Sequence, residues 1–267
     1  MPNYICITCG TQFSETFKPP EGCPICEDER QYVGRDGQQW TTLPELQQNY
    51  SNRIDLQEEN LYGIETQPKF AIAQRALLVQ SSQGNVLWDC VSLIDNATIE
   101  KVNELGGVGA IAISHPHYYA SAIEWAKAFG VKIYLHQADQ QWIMRPDPSI
   151  ELWTGNTLKL QKDITLIKAG GHFAGGTVCH WASGTRGLGT LFSGDIIQVV
   201  ADRRWVSFMY SYPNYIPLSA AKVKQVANAV EPYAFDRIYG AFWSAIVSAD
   251  AKASVRRSAE RYIKAIS

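Results

Sequence analysis

The sequence predicts a layered α/β protein that carries a small metal-binding segment at its N-terminus. Three observations predict it. Apolar strand-like runs alternate with helix-like amphipathic runs over most of the 267 residues. Polar, metal-capable side chains fall just after several of those strands. Four of the six cysteines sit near the N-terminus as two C-x-x-C pairs. The length suits one large core with an appendage. A net charge of -2 gives no bulk basic field for nucleic acid, so none is expected as a partner. No apolar run reaches the roughly 18 residues of a membrane helix, and the opening "MPNYICITCG" does not read as a signal peptide, so a soluble, cytoplasmic protein is expected.

Residues 1–34 form the appendage. Cys6, Cys9, Cys23 and Cys26 give C-x2-C-x13-C-x2-C, a spacing that aims four thiolates at one tetrahedral ion. So short a segment cannot bury enough apolar surface to fold alone, and the ion would supply its folding free energy. The segment is similar to a zinc ribbon, and its "CG" and "CP" also resemble a short rubredoxin. A structural zinc is expected; iron, which would carry electrons, is the alternative. Residues 35–65 are polar and read as a connection that packs against the main domain, with "TTLPELQQNY" a short helix that has a Thr cap and a Pro in its first turn.

Residues 66–267 hold the main domain. "FAIAQRALLVQSS" and "GNVLWDCVSLI" read as paired strands around a Gly-Asn turn. "NATIEKVNELGG" reads as a helix with an Asn cap and a Gly stop. "VGAIAIS" is a buried strand, "YYASAIEWAKAF" a helix and "VKIYLH" the next strand. "NTLKLQKDITLIKAG" gives two short strands; "GTVCHWAS" and "GTLFSGDII" give two more. "PLSAAKVKQVANAVEPY" and "DAKASVRRSAERYIKAI" read as helices, and "FDRIYGAFW" as a strand running into a loop. The aromatic stretch "WVSFMYSYPNYIPL" suits a pocket lid or a dimer contact equally.

Candidate ligands stand just after apolar strands: Asp89 in "LWDC", His115 and His117 in the proline-bent turn "SHPH", His172 in "GGHFAGG" and Asp195 in "LFSGD". Residues i and i+2 at a strand end point the same way, so His115 and His117 can reach one ion. Gly170, Gly171, Gly175 and Gly176 allow the tight turns that bring His172 close. Three neutral imidazoles with an open fourth position make a catalytic zinc geometry, in which bound water has a pKa near about 7. Each residue also has a plainer reading: a satisfied loop histidine for His172, a turn cap for Asp195, a loop-holding acceptor for Asp89. His136 and His180 read as strand histidines packed in the fold, with His136, Asp139 and Tyr119 open as rearranged ligands. Cys90 and Cys179 read as small apolar residues.

The order "LWDC", "SHPHYY", "GGHFAGG", "LFSGDI" resembles the metallo-β-lactamase superfamily over about residues 70–243. The resemblance implies an αββα sandwich with a metal site at one edge. It implies ligand roles for His115, His117 and His172, a carboxylate role for Asp195 at the ion, and a supporting role for Asp89. It also shows departures. The family motif runs H-x-H-x-D-H, and Tyr119 and Ala120 occupy its last two positions. A late "GH" is replaced by "YGAFW", with Ala241, Phe242 and Trp243. All second-ion ligands are therefore missing while the first set is intact, which argues for a mononuclear site and against two-ion chemistry. The expected function is a zinc-dependent hydrolase of a small organic substrate, with Asp195 orienting water and Tyr118 or Tyr119 donating to a developing oxyanion. The alternatives are a non-catalytic binding or sensing module, and a mononuclear iron oxidoreductase served by a rubredoxin-like N-terminus.

Overall fold

A computed structural model describes all 267 residues, Met1–Ser267. The chain forms two units, Met1–Leu135 with Gln140–Leu152, and His136–Asp139 with Trp153–Ser267. None of its helices is long and apolar enough to cross a membrane.

The first unit opens with β1 (Asn3–Cys6), β2 (Gln12–Glu15), the single turn α1 (Pro24–Glu27) and β3 (Trp40–Thr42). These strands make a small antiparallel sheet in the order β2-β1-β3. Helix α2 (Leu43–Asn49) follows, with Thr42 and Glu45 forming a capping box and Pro44 in its first turn. Next come β4 (Ser51–Glu58), β5 (Leu61–Gln67), β6 (Ala76–Val79) and β7 (Val86–Trp88), then α3 (Asn96–Glu104), β8 (Ala110–Ala112), α4 (Ala122–Phe129), β9 (Ile133–His136) and β10 (Ile150–Trp153). Strands β4 to β10 form a seven-stranded sheet in sequential order. β6 and β7 pair antiparallel with Leu78 opposite Leu87. From β7 onward the pairing to β8 and β9 is parallel, as helical crossovers through α3 and α4 allow. Strands β6, β7 and β8 are buried throughout, so they read as unbroken apolar runs.

Two expectations change here. Residues 35–65 are more than a connection: β3 completes the cysteine-bearing sheet, and β4 with most of β5 forms an edge hairpin of the large sheet. β4 is mostly half-buried or exposed, so its polar composition hides it. The cap of α3 is Asp95, whose carboxylate accepts the Thr98 amide at 2.7 Å, one residue before the Asn expected.

The second unit holds β11 (Thr157–Lys159), β12 (Ile164–Lys168), β13 (Thr177–Trp181), the single turn α5 (Gly184–Gly187) and β14 (Thr190–Gly194). Four short strands follow: β15 (Gln198–Val199), β16 (Val206–Ser207), β17 (Met209–Ser211) and β18 (Ile216–Pro217). The unit ends with α6 (Ala220–Val230), β19 (Arg237–Gly240), β20 (Ile246–Val247) and α7 (Ala251–Ile266). Its six-stranded sheet runs β11-β12-β13-β14-β19-β20, with β14 and β19 parallel. Val223, Val226 and Val230 of α6 and Ala251, Val255 and Ala259 of α7 form a buried core with Ile167, Val178, Leu191 and Ile238 of the sheet. Their spacing of three, four and eight residues is the helical repeat that puts one face on a sheet.

Candidate metal centres

In the N-terminal sheet the four cysteines are buried around one point. Cys6 Sγ lies 3.6 Å from Cys26 Sγ, and Cys9 Sγ 3.7 Å from Cys23 Sγ. A disulfide requires about 2.05 Å, whereas thiolates around one ion with metal–sulfur bonds of about 2.3 Å stand about 3.8 Å apart. The spacing therefore fits a closed tetrahedral ion. Hydrogen bonding by the Cys23 thiol, then by the other two, holds the Cys6 thiol far below its ordinary range and pushes Cys9 above its own, and contacts with Cys23 and then Cys6 push Cys26 up. Gln38 Nε2 also donates to Cys6 Sγ at 3.2 Å, a contact suited to a thiolate.

The histidine motif is the proline-bent turn expected after the apolar strand. β8 stops at Ala112, and Pro116–Tyr118 forms a 3-10 turn capped by His115. Pro116 presets the first position of that turn. The imidazoles of His115 and His117 thus approach through the turn, with ring centres 5.1 Å apart and planes at 72°. Both side chains are buried. Ser114 Oγ lies 2.9 Å from His115 Nδ1 and can accept from it in the tautomer that keeps the lone pair on Nε2. The Ser114 amide donates to Asp89 Oδ1 at 2.7 Å, and the Asp89 amide donates to the Ala112 carbonyl at 2.9 Å. Asp89 therefore ties the end of β7 to the start of the histidine turn. It does so at φ 60°, a conformation that Asp tolerates better than most residues.

In the second unit, His172 follows Gly170 and Gly171, which have φ of 71° and 80°. Its Nδ1 lies 3.2 Å from the Met209 carbonyl. A carbonyl only accepts, so Nδ1 carries the proton and Nε2 keeps its lone pair. Asp139 Oδ1 accepts the Gly175 amide at 2.7 Å and pins the far end of the same loop. Asp195 begins the turn after β14. The Tyr212 hydroxyl donates to its backbone carbonyl at 2.8 Å, and the Tyr212 ring lies 5.6 Å from that of His172. Burial, then the Asp195 charge, push the Tyr212 hydroxyl well above its ordinary value. Gly194 pairs with Gly240, which sets Ala241 at the neighbouring strand end. Ala241 offers no ligand atom.

The candidate ligand atoms of His115, His117, His172 and Asp195 all lie within 4.8 Å of one another, and all four residues are buried. Three neutral imidazoles and a carboxylate, two of the rings held by a partner at Nδ1, form a donor set that fits a divalent ion such as zinc. His136 is engaged otherwise: Nε2 lies 3.0 Å from the Gly155 carbonyl and Nδ1 accepts the Ala138 amide at 3.1 Å. His180 Nε2 lies 2.7 Å from the Ala234 carbonyl. Burial lowers the pKa of both. Cys90 and Cys179 are buried, and burial pushes the Cys90 thiol up. Tyr118 packs edge-on to His115 at 4.5 Å, whereas Tyr119 lines a cavity with Gln12, Ile123, Met144 and Arg145. Ser114, Met209 and Tyr212 support the site without a motif of their own. The aromatic density around residue 210 is the only sequence signal near the last two.

No family model matches the chain. Among solved structures it is similar to the DIM-1 metallo-β-lactamase, with TM-score 0.61 and 17% identity over 80% of this chain and 98% of that one. It is also similar to FIM-1 from Pseudomonas aeruginosa in the mono-zinc form, with TM-score 0.58 and 14% identity over 79% and 95% of the two chains. At such identities the likeness is one of fold, and the chain has the metallo-β-lactamase fold. The uncharacterized protein YmaE of Bacillus subtilis (strain 168) is 53% identical over 268 residues, spanning 100% of this chain and 97% of the relative. The chain therefore belongs to the same protein family as YmaE.

Proposed function

We propose that the protein is a hydrolase of a small organic substrate that works with a single zinc ion held by His115, His117 and His172. The observation that carries this reading is the buried cluster of three histidines and one aspartate, with ligand atoms within 4.8 Å of one another. An ion held there would polarise a carbonyl or phosphoryl group and lower the pKa of water toward about 7. The chain's own residues do the rest. Asp195 orients the attacking water and takes its proton as a general base. The Met209 carbonyl fixes the His172 imidazole in the ligating tautomer, and Ser114 orients the His115 ring through Nδ1. Asp89 and Asp139 hold the two histidine-bearing loops. A single ion is supported by Ala120 and Ala241, which stand in the motif positions of further ligands without donor atoms. The mono-zinc form of FIM-1 supports the same reading, since it is a protein of this fold with one ion. The N-terminal cysteines hold a second, structural zinc in this reading.

The test is a screen of ester, thioester, lactone and phosphoester substrates with wild type, His117→Ala and Asp195→Asn. Turnover in wild type that falls by about a thousandfold or more in both variants is expected. A blank screen at full metal loading, or turnover that survives His117→Ala, contradicts the proposal.

A further inference from the structure

The N-terminal sheet is joined to the histidine turn by hydrogen bonds that start beside its cysteines. After Cys9 the chain turns at Gly10, with φ 81°, and the Gly10 amide donates to the Cys6 carbonyl at 2.8 Å. The Gly10 carbonyl then accepts the buried Ser92 hydroxyl at 2.8 Å. A Cβ on Gly10 would lie 2.5 Å from Ser92 Oγ, so the approach requires glycine. Ser92 is three residues beyond Asp89, which holds Ser114. Two residues after Gly10, the Gln12 amide donates to the Ala120 carbonyl at 2.9 Å. Gln12 also hydrogen-bonds through its side chain to Glu124 of α4 and to Arg145, and Arg145 pairs with Glu124. Ser14 donates its amide to the Met144 carbonyl at 3.2 Å.

Ala120 has φ 45°, a conformation that costs a non-glycine residue about 1–3 kcal/mol and persists only where its surroundings impose it. It lies three residues after His117, and Gln12 lies three residues after Cys9. One hydrogen bond thus links the two ligand-bearing loops over a few residues on each side. The contact is independent of any second ion.

We infer that the cysteine sheet is a brace for the histidine turn, so that ion binding at the cysteines and at His115 and His117 is coupled. The inference rests on the reading of those histidines as ligands. A segment this short orders around its ion. Without that ion the Gly10–Ser14 stretch loses its fixed position, and Ala120 loses the donor that helps hold its backbone. Binding at the histidines then has to order the turn as well, and weakens. Linkage requires the reverse effect to be equally large.

The experiment compares wild type, Cys23→Ser/Cys26→Ser, His115→Ala/His117→Ala and Ser92→Ala. Zinc affinity at each site is read by chelator competition. Amide exchange is read at Tyr118, Tyr119 and Ala122, whose N–H groups donate within the turn. The cysteine variant is expected to bind zinc at the histidines about tenfold or more weakly and to exchange those amides faster, and the histidine variant to weaken the cysteine site by the same factor. Ser92→Ala keeps every ligand and should move both readouts the same way by about two- to fivefold. Should the cysteine variant unfold, Ser92→Ala decides. Should wild type bind zinc only at the cysteines, the histidine reading fails, and exchange at 118–122 still decides the brace. Unchanged exchange together with unchanged affinities overturns it.

Discussion

The chemistry at residue scale turns on which imidazole nitrogen is presented. His115 and His172 are each held at Nδ1, by Ser114 Oγ and the Met209 carbonyl; the carbonyl only accepts, so His172 presents Nε2, and the Ser114 hydroxyl holds His115 the same way when it accepts. Ser114→Ala should therefore weaken zinc binding at the histidines by about ten- to a hundredfold with the fold intact, read by chelator competition. The Ser114 amide would still reach Asp89. The histidines themselves were legible, because three of them at strand ends make a pattern. Ser114 was not, since a serine before a histidine has no distinguishing spacing. His180 shows the opposite case, a histidine whose strand context pointed to packing and which bonds the Ala234 carbonyl. Burial lowers its pKa from 6.5, so below that value the unfolded chain binds a proton that the folded chain refuses. Its contribution to stability is present above pH 6.5 and is lost as pH falls through the folded value. Urea midpoints from about pH 7.5 to about pH 5 should fall, and fall less steeply in His180→Gln.

At the scale of elements, the loop carrying His172 is set by its glycines. A Cβ on Gly171 would stand 2.8 Å from Val226 Cγ2 of α6 and 3.2 Å from Leu218 Cδ1, at a φ of 80°. Gly171→Ala should cost about 2 kcal/mol or more of stability and weaken ion binding at the histidines, measured by urea unfolding and zinc titration. The glycine-rich loop was plain in the sequence, and so were the strongly apolar strands β6, β7 and β8, because burial on both faces leaves little else to read. The β4–β5 hairpin was not. β4 has only exposed and half-buried residues at the edge of the sheet, in no regular alternation, and its polar side chains look like those of a linker. The His115–His117 turn was legible as well, because Pro116 bends the chain just after the apolar run.

Over the whole molecule, two clusters of potential ligands stand out, one of four cysteines and one of three histidines with an aspartate. Their membership was legible, because closely spaced cysteines and strand-end histidines are rare enough to be informative together. The contacts from Gly10, Gln12 and Ser14 were not, since they pair residues far apart in the chain through backbone groups that every residue carries. The most direct test of the histidine centre is metal content by mass spectrometry on natively purified protein, beside the His115→Ala/His117→Ala variant. About two zinc ions per chain in wild type and about one in the variant are predicted, one at the four cysteines and one at the three histidines. Equal content in the two proteins would contradict the histidine centre, and with it the proposed hydrolase.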